Sequence, residues 1–261
     1  MSSNSDPTYY HIGFGRADLG ERPPTLAVIS GDPGRARKIA RDYLDGAETL
    51  SENRGLNSYV GRLPTGQRIL STTSGMGAPS LSIVVNELVQ VGVTTILRIG
   101  TTGGIQDGVD VGSVVVSSAA HTRQGAARDI APEGFPASAD PFLTVELAKA
   151  AEGLGIDHRV GVTASVDTFY EGQERSASSA NPHLLRRHLG LTEELRHLGV
   201  LNFEMEAGTL FTMGLVYGFR AGCVCGVIAQ RSDNEHVDLE AKKRAVDGAI
   251  RTALKAAEAF A

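Results

Sequence analysis

Four short segments carry side chains whose types and spacing suit the recognition of an anion, a planar base and a sugar. The segment Ser30-Gly-Asp-Pro-Gly-Arg35 follows an apolar strand and opens a helix. Glycine lets a backbone come close to an oxyanion, and a helix N-terminus supplies free N–H groups and a positive dipole. Arg35 adds a charged fork, although the same residues also read as a plain turn with a helix cap. The second segment, Thr94-Thr-Ile-Leu-Arg-Ile-Gly-Thr-Thr-Gly-Gly104, embeds Arg98 in an apolar strand. A guanidinium left unpaired in a dry core is very costly, so Arg98 requires either an internal carboxylate or a bound anion. The hydroxyls of Thr101 and Thr102, and the flexible glycines after them, suit an oxyanion at the C-terminal end of a strand. Open α/β sheets place their ligands there.

The third segment, Asp167-Thr-Phe-Tyr-Glu-Gly-Gln-Glu-Arg175, sets a glutamine amide two residues before an arginine. Together these side chains can read the polar edge of a planar base lying on Phe169; by itself such a segment is also an ordinary polar loop. The fourth, Asn202-Phe-Glu-Met-Glu-Ala207, places Glu204 and Glu206 at a strand-to-helix junction with apolar sequence on either side. A carboxylate there can hold vicinal sugar hydroxyls by charge-assisted hydrogen bonds, or serve as a helix-start charge favoured by the dipole. No nucleophile elbow, Walker-type loop or zinc-ligand spacing occurs. Nothing in the sequence fixes a carboxylate separation of the glycosidase kind.

The elements that must position these residues alternate strand and helix. Strands are expected over 25–30, 68–73, 94–99, 113–119, 158–165, 200–204 and 222–230. Helices are expected over 34–44, 80–91, 141–153, 206–217 and 239–260, the second carrying a stripe of Leu81, Val84, Val85 and Leu88. Residues 123–139 read as a long excursion from the sheet, and 177–195 as a patchy helix with a solvated charged face. This alternation predicts an α/β fold: a single three-layer αβα domain over residues 1–261, with a central mixed β-sheet flanked by helices. Residues 1–8 are expected to be flexible.

Composition narrows the function classes. Of the 261 residues, 41% are hydrophobic, 21% are charged and 31 are glycine, which is the make-up of an ordinary folded α/β chain. A net charge of −5 argues against a nucleic-acid partner, so an anion site must be built from local arginines. Cys223 and Cys225, two apart in an apolar run, read as buried free thiols suited to a reducing cytoplasm. The polar N-terminus lacks a signal-peptide core, and no run is long enough to span a membrane.

In chain order the motifs Gly-Asp-Pro-x-Arg, Leu-Arg-Ile-Gly-Thr-Thr-Gly, Asp-Thr-Phe-Tyr-x-Gly-Gln-Glu-Arg and Glu-Met-Glu-Ala resemble the nucleoside phosphorylase family. They resemble its uridine-cleaving branch most, and the resemblance runs from Tyr10-His-Ile-Gly13 to the terminal helix. Purine-cleaving relatives lack the Gln-x-Arg pair. The resemblance implies phosphorolysis of uridine to uracil and ribose 1-phosphate in pyrimidine salvage, with inorganic phosphate as co-substrate and no cofactor. It implies that Gly31, Arg35, Arg98 and Thr101 bind phosphate, completed by Arg54 of a neighbouring subunit. Phe169, Gln173 and Arg175 would hold uracil, with Thr102 and Gly103 lining the floor and Ile228 and Arg231 on a flap-like segment at the pyrimidine edge. Glu206 and the Met205 backbone, beside Glu204, would hold the ribose hydroxyls, and His11 of the neighbour would meet the 5′-hydroxyl. Arg98, Gln173, Arg175 and Glu206 would carry the catalysis.

The same resemblance implies a homodimer with shared sites, assembled to a hexamer. Some members hold a monovalent cation at that interface through a glutamate next to the interface arginine. Gly55 stands in that place here, so no metal is expected. Purine phosphorolysis, hydrolysis and non-catalytic nucleoside binding remain the alternatives on such a fold, and fold alone does not choose among them. Ser232-Asp233 superficially matches a purine-cleaving pair but falls several residues beyond its expected position.

Overall fold

Side chains alternate across a strand, so each central strand of this chain contributes to two cores. The computed structural model describes residues 7–231 and 239–260. In β1 (Leu26–Ser30), Ala27 and Ile29 enter one apolar cluster while Leu26 and Val28 enter the other. The same division recurs in β5 (Thr95–Gly104), where Ile96 faces the first cluster and Leu97 and Ile99 the second. Helices α2 (Ala78–Gln90) and α6 (Ala207–Tyr217) cover the first face. The second face is covered by α1 (Pro33–Tyr43), α4 (Pro141–Gly153) and α7 (Leu239–Ala257). These layers are the expected helix–sheet–helix sandwich.

The remaining strands are β2 (Asp45–Ser51), β3 (Ser58–Arg62), β4 (Arg68–Thr73), β6 (Val114–Thr122), β7 (His158–Ser165), β8 (Asn202–Glu204) and β9 (Arg220–Gln230). The sheet runs β2-β3-β4-β1-β5-β8-β7-β6-β9 and is mixed: β1 is parallel to β4 and β5, whereas β5 and β8 are antiparallel. Because β9 pairs with both β5 and β6, the strands β5, β8, β7, β6 and β9 close on one another. The C-terminal ends of β5, β7 and β8 are thereby gathered at one place.

Several sequence expectations are corrected. The residues Gly100–Gly104 are not a flexible tail but part of β5, paired with β9. Both β2 and β3 lacked a strand signal, because β2 is an exposed edge strand without an apolar run. The excursion over 123–139 contains a short helix, α3 (Gly125–Ile130). Within 177–195 the helix begins only at α5 (Leu191–His197), preceded by isolated 3₁₀ turns. Residues 1–6, and with them most of the segment expected to be flexible, lie outside the described residues, while Pro7 and Thr8 pack against Gly15. The pair Ser232-Asp233 also lies outside them. Cys223 and Cys225 are buried free thiols on one side of β9, their sulfurs 3.7 Å apart.

Candidate active site

The charge embedded in β5 finds its partners inside the chain. Arg98, 4% exposed, donates from Nε to Glu204 Oε2 at 3.2 Å and from Nη2 to Glu206 Oε2. The internal carboxylate pairing, one of the two partners the sequence allows, is formed through Nε and Nη2. Burial alone would pull the Arg98 pKa down; Glu206 and Glu204 more than reverse this and hold it raised. The two carboxylates are not equivalent. Glu204 takes four hydrogen bonds: its Oε1 accepts from Ser165 Oγ, and its Oε2 from Arg98 Nε and the Glu206 and Ala207 amides. It supports the turn. Glu206 accepts from Arg98 and from the Gly77 amide at 2.5 Å, with the Met205 backbone also favouring its charged form, so part of its capacity stays open. Burial, with Glu204 adding to it, pushes the Glu206 pKa up despite Arg98.

Arg35 rises from the first turn of α1 beside this group. Its Nη1 donates to the Ile99 carbonyl of β5 at 3.0 Å, while its Nε is buried without an acceptor. An unmade hydrogen bond on a buried charged group costs on the order of 1–3 kcal/mol, which an incoming anion would relieve. Burial lowers the Arg35 pKa, and the nearby Arg98 charge lowers it further. Gly31 lies against the next turn: a Cβ there would stand 3.2 Å from the Gly75 carbonyl. The plainer reading of this segment also holds in part, since the Asp32 carboxylate caps α1 through the Gly34 amide at 2.8 Å. Thr101 lies further along β5, paired with Gly226.

The base-reading candidates meet at the far end of β5. Gln173 is 3% exposed, and its Oε1 accepts from Arg175 Nε at 3.2 Å. The Arg175 guanidinium lies 4.2 Å from the centre of the half-exposed Phe169 ring. Arg231 Nη2 donates to the Gln173 carbonyl at 2.6 Å, and its stem crosses Gly103, where a Cβ would be 3.0 Å from Arg231 Cγ. The absence of a side chain at Gly103 lets the Arg231 stem approach this closely.

Ile228 is placed differently from the expectation, and the Thr102 hydroxyl is already bonded. The Thr102 hydroxyl donates to the Phe203 carbonyl and accepts from Asn202 Nδ2 at 2.7 Å, so it is used inside the sheet. Ile228 is not on a flap: it is the extra residue of a bulge in β9, between Val227 opposite Thr102 and Ala229 opposite Gly103.

His11 and Arg54 are brought to each other but not to the Arg98 group. His11 Nδ1 contacts Glu87 Oε1 at 2.6 Å, and Asn53 Nδ2 donates to the Tyr10 and His11 carbonyls. Arg54, in the left-handed region at φ 56°, lies over the Tyr10 ring at 5.5 Å. Among the described residues, neither side chain bonds Arg98, Glu206 or Gln173 within the chain. Sequence reasoning missed Ser165, the Gly77 amide and Gln124, whose amide reaches Met205 and α6. Isolated polar residues in turns give no signal of such partners.

Among the described residues, no cluster of three or more His, Cys, Asp or Glu is placed to hold a metal, and no helix is long and apolar enough to cross a membrane.

Comparison with known proteins gives the same direction as the geometry. Over 251 residues, 96% of this chain and 98% of the other, the protein is 41% identical to a uridine phosphorylase of Haemophilus influenzae. It is 38% identical over 226 residues to one from Thermococcus kodakarensis, covering 87% of this chain and 79% of that one. A guanosine phosphorylase of Halorubrum lacusprofundi is 33% identical over 242 residues, 90% of this chain and 93% of its own. The family model described as the phosphorylase superfamily matches residues 25–261, from the strand before the Arg35 turn through the terminal helix. The chain belongs to the phosphorylase superfamily.

Proposed function

We propose that the protein is a uridine phosphorylase, a pentosyltransferase that reversibly converts uridine and inorganic phosphate into uracil and ribose 1-phosphate. The observation that carries this reading is the pair of buried Gln173 and partly exposed Arg175, set beside Gly103 on the strand that also carries Arg98. It is supported by identities of 38–41% to uridine phosphorylases over most of the chain.

Phosphate enters beside Arg35 and Arg98, accepting from the open Arg35 Nε and the uncommitted Arg98 Nη1, with Gly31 and Thr101 close by and Arg54 supplied by a neighbouring subunit. The ribose hydroxyls meet the Glu206 carboxylate and the Met205 backbone, and the neighbour's His11 meets the 5′-hydroxyl. As the N1–C1′ bond stretches, C1′ gains oxocarbenium character and its electron pair leaves with uracil. The Gln173 amide and Arg175 guanidinium stabilise the charge developing on uracil's O2 and O4. A phosphate oxygen then bonds C1′ from the opposite face, its own charge favouring the cationic sugar and its position set by the arginines. No protein side chain forms a covalent bond. The reading includes a homodimer with shared sites assembled to a hexamer, a cytoplasmic location, and a place in pyrimidine salvage.

The test is release of free base from uridine, inosine and guanosine, with and without phosphate. Uridine cleavage that requires phosphate and exceeds purine cleavage supports the reading. Preferential inosine or guanosine cleavage overturns the base assignment, and guanosine is the second choice because a guanosine phosphorylase is among the relatives.

A further inference from the structure

Glu206 begins α6, yet it does not do what a helix-start residue does. An N-cap side chain ordinarily accepts from the amide two or three residues on. Glu206 makes no such bond; its carboxylate is turned onto Arg98 and the Gly77 amide. The unpaired amides of the first helical turn still need acceptors. They obtain them from outside the helix: Ala207 from Glu204 Oε2 at 2.8 Å, Gly208 from Ser165 Oγ at 2.8 Å and Thr209 from Gln124 Oε1 at 2.9 Å.

Gln124 is fully buried at the turn between β6 and α3. Besides the Thr209 amide, its Oε1 accepts from the Thr209 hydroxyl at 2.8 Å. Its Nε2 donates to the Met205 carbonyl at 2.5 Å and, more loosely, to Val166 O at 3.5 Å. One amide thus fixes both the peptide before Glu206 and the helix turn after it.

We propose that Gln124 is a positioning residue for ribose recognition. By capping α6 from outside and holding Met205, it leaves the Glu206 carboxylate beside Arg98, where the sugar hydroxyls are read. The proposal rests on the phosphorolysis reading above. Without the Gln124 amide, the Thr209 amide and Met205 carbonyl would be buried and unpaired. The acceptor best placed to replace it is the N-cap side chain itself. Glu206 would then swing onto its own helix and away from the sugar.

The test compares kcat/KM for uridine and 2′-deoxyuridine, together with thermal midpoints, in the wild type, Gln124→Met and Gln124→Glu. Gln124→Met should lower uridine turnover by at least ~10-fold and 2′-deoxyuridine turnover less, since the latter offers Glu206 one hydroxyl fewer, so the preference for uridine falls by about 3-fold or more. In Gln124→Glu, burial and the adjoining carbonyl favour a protonated carboxyl, which accepts and donates as the amide does, so the preference should stay near that of the wild type. Should Gln124→Met not fold, Gln124→Asn, about 1.5 Å shorter in reach, must show the same fall in preference. Folded Gln124→Met or Gln124→Asn with an unchanged uridine preference overturns the proposal. A wild type that cleaves neither nucleoside with phosphate overturns the functional reading instead, so the two failures are separable.

Discussion

Arg98 shows how one embedded charge organises its surroundings. An arginine in an apolar strand announces that it needs an anion, and that much was legible. Which anion was not, because Glu204 and Glu206 lie 106 and 108 residues away in sequence. The pairing changes what an Arg98→Ala variant should do. Removing the guanidinium leaves two buried carboxylates facing each other, a loss of about 3–5 kcal/mol on the scale of broken buried ion pairs. Urea denaturation should show that loss along with loss of turnover; wild-type stability would mean that the carboxylates do not depend on Arg98. At the other end of β5, the joint use of Gln173 and Arg175 was suggested by their spacing, whereas their bond to each other and the seat of the Arg231 stem on Gly103 were not. Gln173→Ala should lower uridine turnover by at least ~10-fold, because a buried base edge loses its paired donor and acceptor. An unchanged rate would remove the base-reading assignment. Gln124 lay beyond sequence reasoning altogether, since a glutamine in a polar turn looks the same whether it meets water or a helix end.

Among the elements, the apolar strands and the amphipathic helices were legible because burial on two faces leaves continuous Val, Ile and Leu runs. Polar edge strands such as β2 leave no such trace, and the closure of β9 onto both β5 and β6 depends on pairings far apart in the chain. That closure requires tight layers. At Gly226 in β9, a Cβ would lie 2.4 Å from the Ala245 carbonyl oxygen of α7, against backbone that cannot step aside cheaply. Gly226→Ala should therefore push α7 off the sheet and destabilise the fold by about 1–3 kcal/mol, the usual range for overpacking. A thermal melt at the wild-type midpoint would contradict this account of the α7–β9 packing. The turns at Gly31 and Gly75 belong to the same logic, since they let two strand-to-helix connections meet beside Arg35.

At the scale of the whole molecule, the chain gathers its arginine–carboxylate group and its Gln173–Arg175 pair beside one strand, β5, while His11 and Arg54 stand apart with the exposed Tyr10. If those two complete a partner's site, activity depends on assembly. Light scattering across a dilution series should show turnover per chain falling as the oligomer dissociates; a fully active monomer would rule out the shared site. The central claim is that phosphate, not water, takes the sugar, and the most direct measurement follows both products at once. Incubated with uridine and phosphate, the protein should yield ribose 1-phosphate, seen by phosphorus NMR, in one-to-one ratio with uracil, and no uracil without phosphate. Free ribose with phosphate unconsumed would mark a hydrolase, and tight uridine binding without any uracil a binding protein; either result would contradict the account.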